Sequence, residues 1–314
     1  MKDSGLLAWL LYLAVRVAFA IMQIFPLERN LRTARLLTHI WIRLMPRHLG
    51  RAIANLNRAL GQQYTLSQIR QMAVACLESA AMFAVEAVCL PRLVNAFTWA
   101  RYVRLVNFEE VLRLILAGRG VILVTGHYGS FELTGHLLAT LGFDVVAVMR
   151  PIDNVYINRF LVRARRMHGL ILLDKKGASA QAGEVLARGA LLGFIGDQDA
   201  GRKGHFVDFF GAQASTYKSI ALLAMRAEAP IAVGYARRRG YAAQYEVGVE
   251  RIIYPHEWGH EADPLHWITQ TYTSAIESFV RAVPEQYWWM HRRWKSQPRA
   301  KQSSLPVDLY RAAI

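Results

Sequence analysis

The chain has 314 residues, 54% of them hydrophobic, with a net charge of +15 and a pI near 10.1. That content buries a large core, and the absence of repeats or low-complexity tracts argues for one elaborated domain rather than an array. The charge calls for an acidic partner, but the arginines gather beside an apolar N-terminus and among C-terminal tryptophans, without zinc-ligand spacing or an RNA-binding aromatic motif. This disfavours nucleic acid and suits an anionic membrane surface. Cys76 and Cys89, the only cysteines, sit in apolar helical patterns and read as buried thiols of a reducing compartment rather than a disulfide framework.

The first element, Gly5 to Phe25, is apolar apart from Arg16 and Gln23 and lacks a small-residue cleavage site before Pro26. Because a spanning helix needs about 20 apolar residues, this segment is expected to be a retained membrane anchor. It either crosses the bilayer or lies in the interface with Arg16 snorkelling; the competing reading is a buried first helix. Arg29, Arg32 and Arg35 follow directly, which puts the body on the cytoplasmic side if the segment spans. Residues 27–100 read as helices, with Leu36, His39, Ile40, Ile42 and Leu44 in one apolar pattern and Thr65 as N-cap of a long helix through Glu86. From residue 101 to 300 strands and helices alternate, with strands expected at 121–125, 144–149, 170–173, 191–196, 230–235 and 244–250. The pattern predicts an α/β core with a mostly parallel central sheet flanked by helices, followed by a tail at 301–314.

Val121 to Thr125 is a β-branched run that ends in Gly126-His127-Tyr128-Gly129-Ser130-Phe131-Glu132. Ser130 is expected to cap the next helix, with Glu132 in its first turn and close enough to hold one nitrogen of His127 while the other takes a proton from a hydroxyl. A satisfied turn histidine is the bland alternative. Arg150, Asp174 and Asp197 with Gln198 end the following strands, and the carboxyl ends of parallel strands form the ligand crevice of open sheets. Ser215 and Thr216 are expected to cap a helix from Ile220 to Ala227, with Lys218 in its first turn opposing the dipole as a ligand-anion contact would.

His127 and Glu132 match the HxxxxD/E signature of the lysophospholipid acyltransferase superfamily. With Asp197-Gln198-Asp199, Phe206 to Gly211, and Tyr287-Trp288-Trp289-Met290-His291-Arg292-Arg293-Trp294-Lys295, the chain resembles the late acyltransferases of lipid A biosynthesis over roughly residues 50 to 298. The resemblance implies O-acyl transfer from an acyl thioester, on acyl carrier protein or coenzyme A, to a glycolipid or phospholipid hydroxyl, with His127 as base and Glu132 as its partner. It implies a phosphate contact for Arg150, unless it pairs with Asp153 or Asp197, and acceptor binding by Asp197 and Gln198, unless Asp197 is structural. Phe206, Phe209 and Phe210 are an acyl-chain wall or simple core. Arg292 and Arg293 reach acceptor phosphates, with the tryptophans at headgroup depth, or the block is packing and solvated charge. Ser130 and Phe131 replace the family's usual asparagine and tryptophan. No metal or redox cofactor is called for. A thioester or lysolipid hydrolase and a non-catalytic membrane-binding protein are the rival classes.

Overall fold

The computed structural model describes residues 4–298 apart from 150, 167, 168 and 241. Four helices lead: α1 (Leu6–Ile24), α2 (Leu27–Leu44), α3 (Pro46–Leu60) and α4 (Leu66–Leu93). The alternating part then runs through α5 (Trp99–Tyr102), β1 (Val103–Val106), α6 (Glu109–Leu116), β2 (Val121–Thr125), α7 (Glu132–Thr140), β3 (Val145–Met149), α8 (Val155–Arg166), β4 (Ile171–Asp174), α9 (Lys175–Ala187) and β5 (Leu191–Ile195). It continues with β6 (His205–Phe209), β7 (Ala212–Thr216), α10 (Ser219–Ala227), β8 (Ile231–Arg238), β9 (Tyr245–Ile253), α11 (Pro255–Trp258) and α12 (Pro264–Ala282).

Seven strands form one sheet in the order β1-β9-β8-β2-β5-β3-β4, parallel except between β8 and β9. All six expected strands are present. β1 was not foreseen, and neither was the antiparallel hairpin β6–β7, which the sequence presents as a loop. That hairpin turns on Phe210 (φ 53°) and Gly211 (φ 70°), both left-handed as a two-residue turn of this type requires.

Strand alternation sends Ile122, Val124, Val146 and Leu192 into one core with α10 and α12, and Val121, Val145 and Leu191 into a second core with α7. Helix α4 serves both, through Ile69, Ala73 and Cys76 in the first and Met82, Val85 and Cys89 in the second. Its start is fixed by the expected cap, Thr65, in a reciprocal box with Gln68. Glu86 in its last third is fully buried, paired with Arg238 of β8 and bonded by the Tyr245 hydroxyl of β9 at 2.9 Å. The two cysteines are free and buried, and burial pushes the Cys76 thiol up to about 12.

Helix α1 is long and apolar enough to cross a membrane, and almost all of it is exposed. It is docked on α8 through Tyr12 and Phe19. The apolar pattern of α2 does not face the core as a whole: Leu36, Leu37, Ile40 and Leu44 point outward, while Leu27, Leu31, Ala34 and Thr38 pack inward.

Candidate active site

Two neighbouring strands build the site. β2 and β5 are parallel and in register, Thr125 beside Ile195, and each is followed by one glycine and then a polar residue, His127 and Asp197 respectively. The Gly196 amide donates to the Thr125 carbonyl at 2.8 Å, which carries the pairing past the strand ends. The connection from β2 leaves on the α7 face and the one from β5 on the α10 face, so the gap between these strand ends is the crevice of the sheet.

His127 and Asp197 meet there, both buried. Nδ1 of His127 lies 2.7 Å from Oδ1 of Asp197, and the His127 backbone amide donates to Oδ2 at 2.8 Å. Burial pushes the Asp197 carboxyl up, but the charge and hydrogen bonds of His127, helped by His291, outweigh it and hold the group well below the usual carboxylate range. An ionised carboxylate against Nδ1 assigns the proton to that nitrogen and leaves the Nε2 lone pair outward. Nε2 faces the exposed Gln198 side-chain amide at 3.3 Å.

The geometry corrects the expected partner. Glu132 does not hold the imidazole; from the first turn of α7 its carboxylate receives Nη2 of Arg165 at 2.5 Å and Nε at 3.2 Å. Ser130 does not cap α7 with its side chain. Its amide donates to the Ala236 carbonyl and its own carbonyl accepts from Leu133. The Gly129 amide donates to the Gln286 carbonyl at 2.9 Å. Gly129 has φ 54°, and a Cβ there would lie 2.2 Å from the Ala236 oxygen, so only glycine fits.

An aromatic wall stands beside the imidazole. Phe83 of α4 stacks on Phe131 at 4.3 Å, Trp288 closes on both, and His127 lies 5.2–5.3 Å from Phe131 and Trp288. His291 packs edge-on to His127 at 4.4 Å between ring centres. Burial, then the neighbouring His127 and also Arg51, push His291 down to about 4, against the pull of Asp197, so it is neutral at neutral pH. The segment bearing these rings is pinned by two earlier parts of the chain. The Trp288 amide donates to the His127 carbonyl at 3.0 Å, and Asn55 of α3 donates to the carbonyls of Trp289 and His291 at 2.7 and 2.8 Å.

Other expected site residues lie elsewhere. Phe209 and Phe210 are core, packed on Trp294 and Trp289, and Phe206 is half-buried on the same hairpin. They do not border His127. Arg293 is buried over the Phe209 ring, donating to the Ser215 carbonyl at 2.6 Å and the Thr216 hydroxyl at 2.7 Å, which places it in the scaffold and not at a phosphate. Ser215 and Thr216 thus end β7 rather than capping α10. Arg292 is exposed. Lys218, at the N-terminal end of α10, is exposed on the side of His205, whose ring is 2.9 Å from His266. Asp199 holds Ser296, Asp174 ends β4, and Arg150 lies outside the described residues. The residues that sequence reasoning missed are Phe83, Trp288 and His291 as neighbours of His127, and Asp197 as its partner. The matching Thr-Gly-His and Ile-Gly-Asp strand ends are the signal that could have found that pair.

The match to known proteins covers the same residues. A family model described as bacterial lipid A biosynthesis acyltransferase matches residues 4–296. The lipid A biosynthesis lauroyltransferase of Escherichia coli is 25% identical over 303 residues, 94% of each chain. The lipid A biosynthesis palmitoleoyltransferase of the same organism is 28% identical over 200 residues, a match that spans 63% of this chain and 63% of that protein. A lipid A biosynthesis acyltransferase of Haemophilus influenzae is 23% identical over 187 residues, 59% of this chain and 57% of that protein. With its strand-end histidine, paired carboxylate and closing tryptophan block all inside the matched region, the chain belongs to the bacterial lipid A biosynthesis acyltransferase family.

Proposed function

We propose that the protein is a membrane-associated O-acyltransferase. It moves a fatty acyl group from a thioester of acyl carrier protein or coenzyme A to a hydroxyl of a glycolipid or phospholipid acceptor resembling a lipid A precursor, on the cytoplasmic face of the inner membrane. The observation that carries the reading is the buried His127–Asp197 pair, whose outward nitrogen opens beside an aromatic wall.

In this scheme Asp197 keeps the proton on Nδ1, and the acceptor hydroxyl takes the position now held by the Gln198 amide. As the hydroxyl oxygen attacks the thioester carbonyl carbon, its proton passes to Nε2 of His127. The tetrahedral oxyanion collapses with cleavage of the carbon–sulfur bond, the ester remains on the acceptor, and the imidazolium gives its proton to the departing thiolate. Asp197 balances the imidazolium while it lasts. With the Gly129 and Ser130 amides engaged, those of Phe131 and Glu132 at the head of α7 are the donors for the oxyanion. Phe83, Phe131 and Trp288 offer the apolar surface for the acyl chain. The pairing of Glu132 with Arg165 fixes a guanidinium near the motif, suited to a phosphate of donor or acceptor; Arg150 is a second candidate for that contact. The scheme draws on no metal or redox group.

The test uses the full-length protein with an acyl thioester and a phosphorylated glycolipid acceptor, with lipid products read by mass spectrometry. His127→Ala is expected to lose about 10²–10⁴ in rate. Release of free fatty acid at one rate with and without acceptor would assign the pair to hydrolysis. A wild-type protein that consumes no thioester would be a membrane-binding protein without this chemistry.

A further inference from the structure

Helix α8 has no buried residue and carries two adjacent stripes of different chemistry. One meets α1: Tyr156 and Phe160 contact Tyr12 at 6.0 and 6.4 Å, Phe19 lies 5.3 Å from Phe160, and the Arg16 guanidinium sits 4.9 Å over that ring. Two polar ties fix the start of the contact, Asn154 to the Ala8 carbonyl at 2.8 Å and the Tyr156 hydroxyl to the Ser4 carbonyl at 3.1 Å. Flanking that contact, the helix carries Arg159, Arg163 and Arg166 at i, i+4 and i+7, one row along its length. All three are exposed, and with Val162 they line an open groove of about 450 Å³. Arg159 also borders a smaller cavity, of about 350 Å³, shared with Ser4 and Ile152. None of the three forms an ion pair among the described residues, whereas Arg165, one residue from the row's end, turns inward to Glu132.

A row of guanidiniums with no carboxylate partner among the described residues lies alongside a helix that exposes Leu6, Leu7, Leu10, Leu11, Val17, Ile21 and Ile24. Nucleic acid would use the charge but has no use for the apolar flank; a bilayer uses both. We infer that the α1–α8 face is the docking surface for an anionic bilayer, with α1 among the acyl chains and Arg159, Arg163 and Arg166 on the lipid headgroups. The inference rests on the membrane-associated reading above and assigns it a face. Through Arg165 and Glu132 the same helix touches the turn that carries His127, so the crevice opens near the plane where a lipid hydroxyl emerges. Each basic residue near an anionic surface contributes about 1 kcal/mol, or about fivefold in partitioning, so the row is expected to contribute about 10².

The test measures partitioning of the full-length protein onto phosphatidylcholine vesicles with and without phosphatidylglycerol, across lipid concentration and salt. The triple variant Arg159→Gln, Arg163→Gln, Arg166→Gln is expected to lose about 10²-fold in affinity for the anionic vesicles and most of its salt dependence. Binding to phosphatidylcholine alone should change little. The same charge removed elsewhere, as Arg104→Gln, Arg188→Gln, Arg226→Gln, should leave both unchanged. Circular dichroism checks that each variant is folded, and the three single variants, at about fivefold each, serve if the triple is not. Unchanged binding to anionic vesicles would overturn the assignment. So would an equal loss on neutral ones, or release of the wild type by millimolar inorganic phosphate at constant ionic strength. No turnover is measured, so a failure here is separate from a failure of the acyltransferase reading.

Discussion

Replacing Asp197 by asparagine separates the two candidate partners of His127. The carboxylate accepts twice from one residue, from ring Nδ1 at 2.7 Å and from the backbone amide at 2.8 Å. An asparagine oxygen accepts from one of these and leaves its NH₂ group against the other. If the backbone bond is kept, the ring must flip its proton to Nε2 and lose the lone pair that takes the hydroxyl proton. The counter-charge for the imidazolium disappears as well. By analogy with the same change in serine protease triads, the expected loss in kcat is about 10³–10⁴, or about 4–5.5 kcal/mol of barrier. Steady-state acyl transfer at saturating donor reads this directly. Because the native Asp197 carboxyl is held below its ordinary value of 3.8, the wild-type charge contributes stability that is fully present above that pH and fades as pH falls toward the native value. The stability gap between wild type and Asp197→Asn should therefore narrow below about pH 4. Turnover of folded Asp197→Asn within tenfold of wild type would refute the argument, most clearly if Glu132→Gln then abolished activity.

The other expectations concern the supports of the site. Glu132→Gln and Arg165→Gln should each lower kcat/KM by about tenfold or more, and the double variant should be no worse than either, since the two act as a pair; additive losses would separate them. Arg293→Met strands two buried acceptors and should cost about 2–5 kcal/mol in chemical denaturation. Arg292→Gln, at an exposed position, should stay within about 0.5 kcal/mol; equal effects would contradict the different placement of these neighbours. Glu86→Gln leaves Arg238 charged and buried without its counter-ion, so a loss of about 3–5 kcal/mol is expected by the same measurement.

Most of the sheet was legible because its strands are short apolar runs alternating with helical patterns, and β2 and β5 end in glycine, signals that need no tertiary information. The β6–β7 hairpin was not, since its turn is Phe210-Gly211 instead of an asparagine–glycine pair, and an aromatic residue gives no hint of a left-handed backbone. Held in place by Trp289 on one side and the Arg281 guanidinium 4.5 Å over its ring, Phe210 takes that conformation for tertiary reasons. His127 was found from its strand end, but its partner was sought five residues away, while register brings Asp197 from seventy residues away. The tryptophan block misled differently: spacing shows alternating aromatic and basic residues, but not that Trp289, Arg293 and Trp294 turn inward while Trp288 and His291 turn to His127. In α2, two apolar stripes share one helix, and only packing against α4 decides which is buried.

The clamp on the closing segment has a consequence for the order of biosynthesis. His127 sits among the middle residues of the chain, yet one wall of its pocket is Trp288 and His291, and that wall is held by Asn55, which is made long before either. In a growing chain α3 and the strand end that carries His127 are synthesised well before Trp288 and His291, so the pocket stays open on one side until the closing segment is made. Long-range closure of this kind is slow and comes late in folding. The pocket beside His127 is thus completed only after translation has passed His291 and the last segment has packed between α3 and the end of β2.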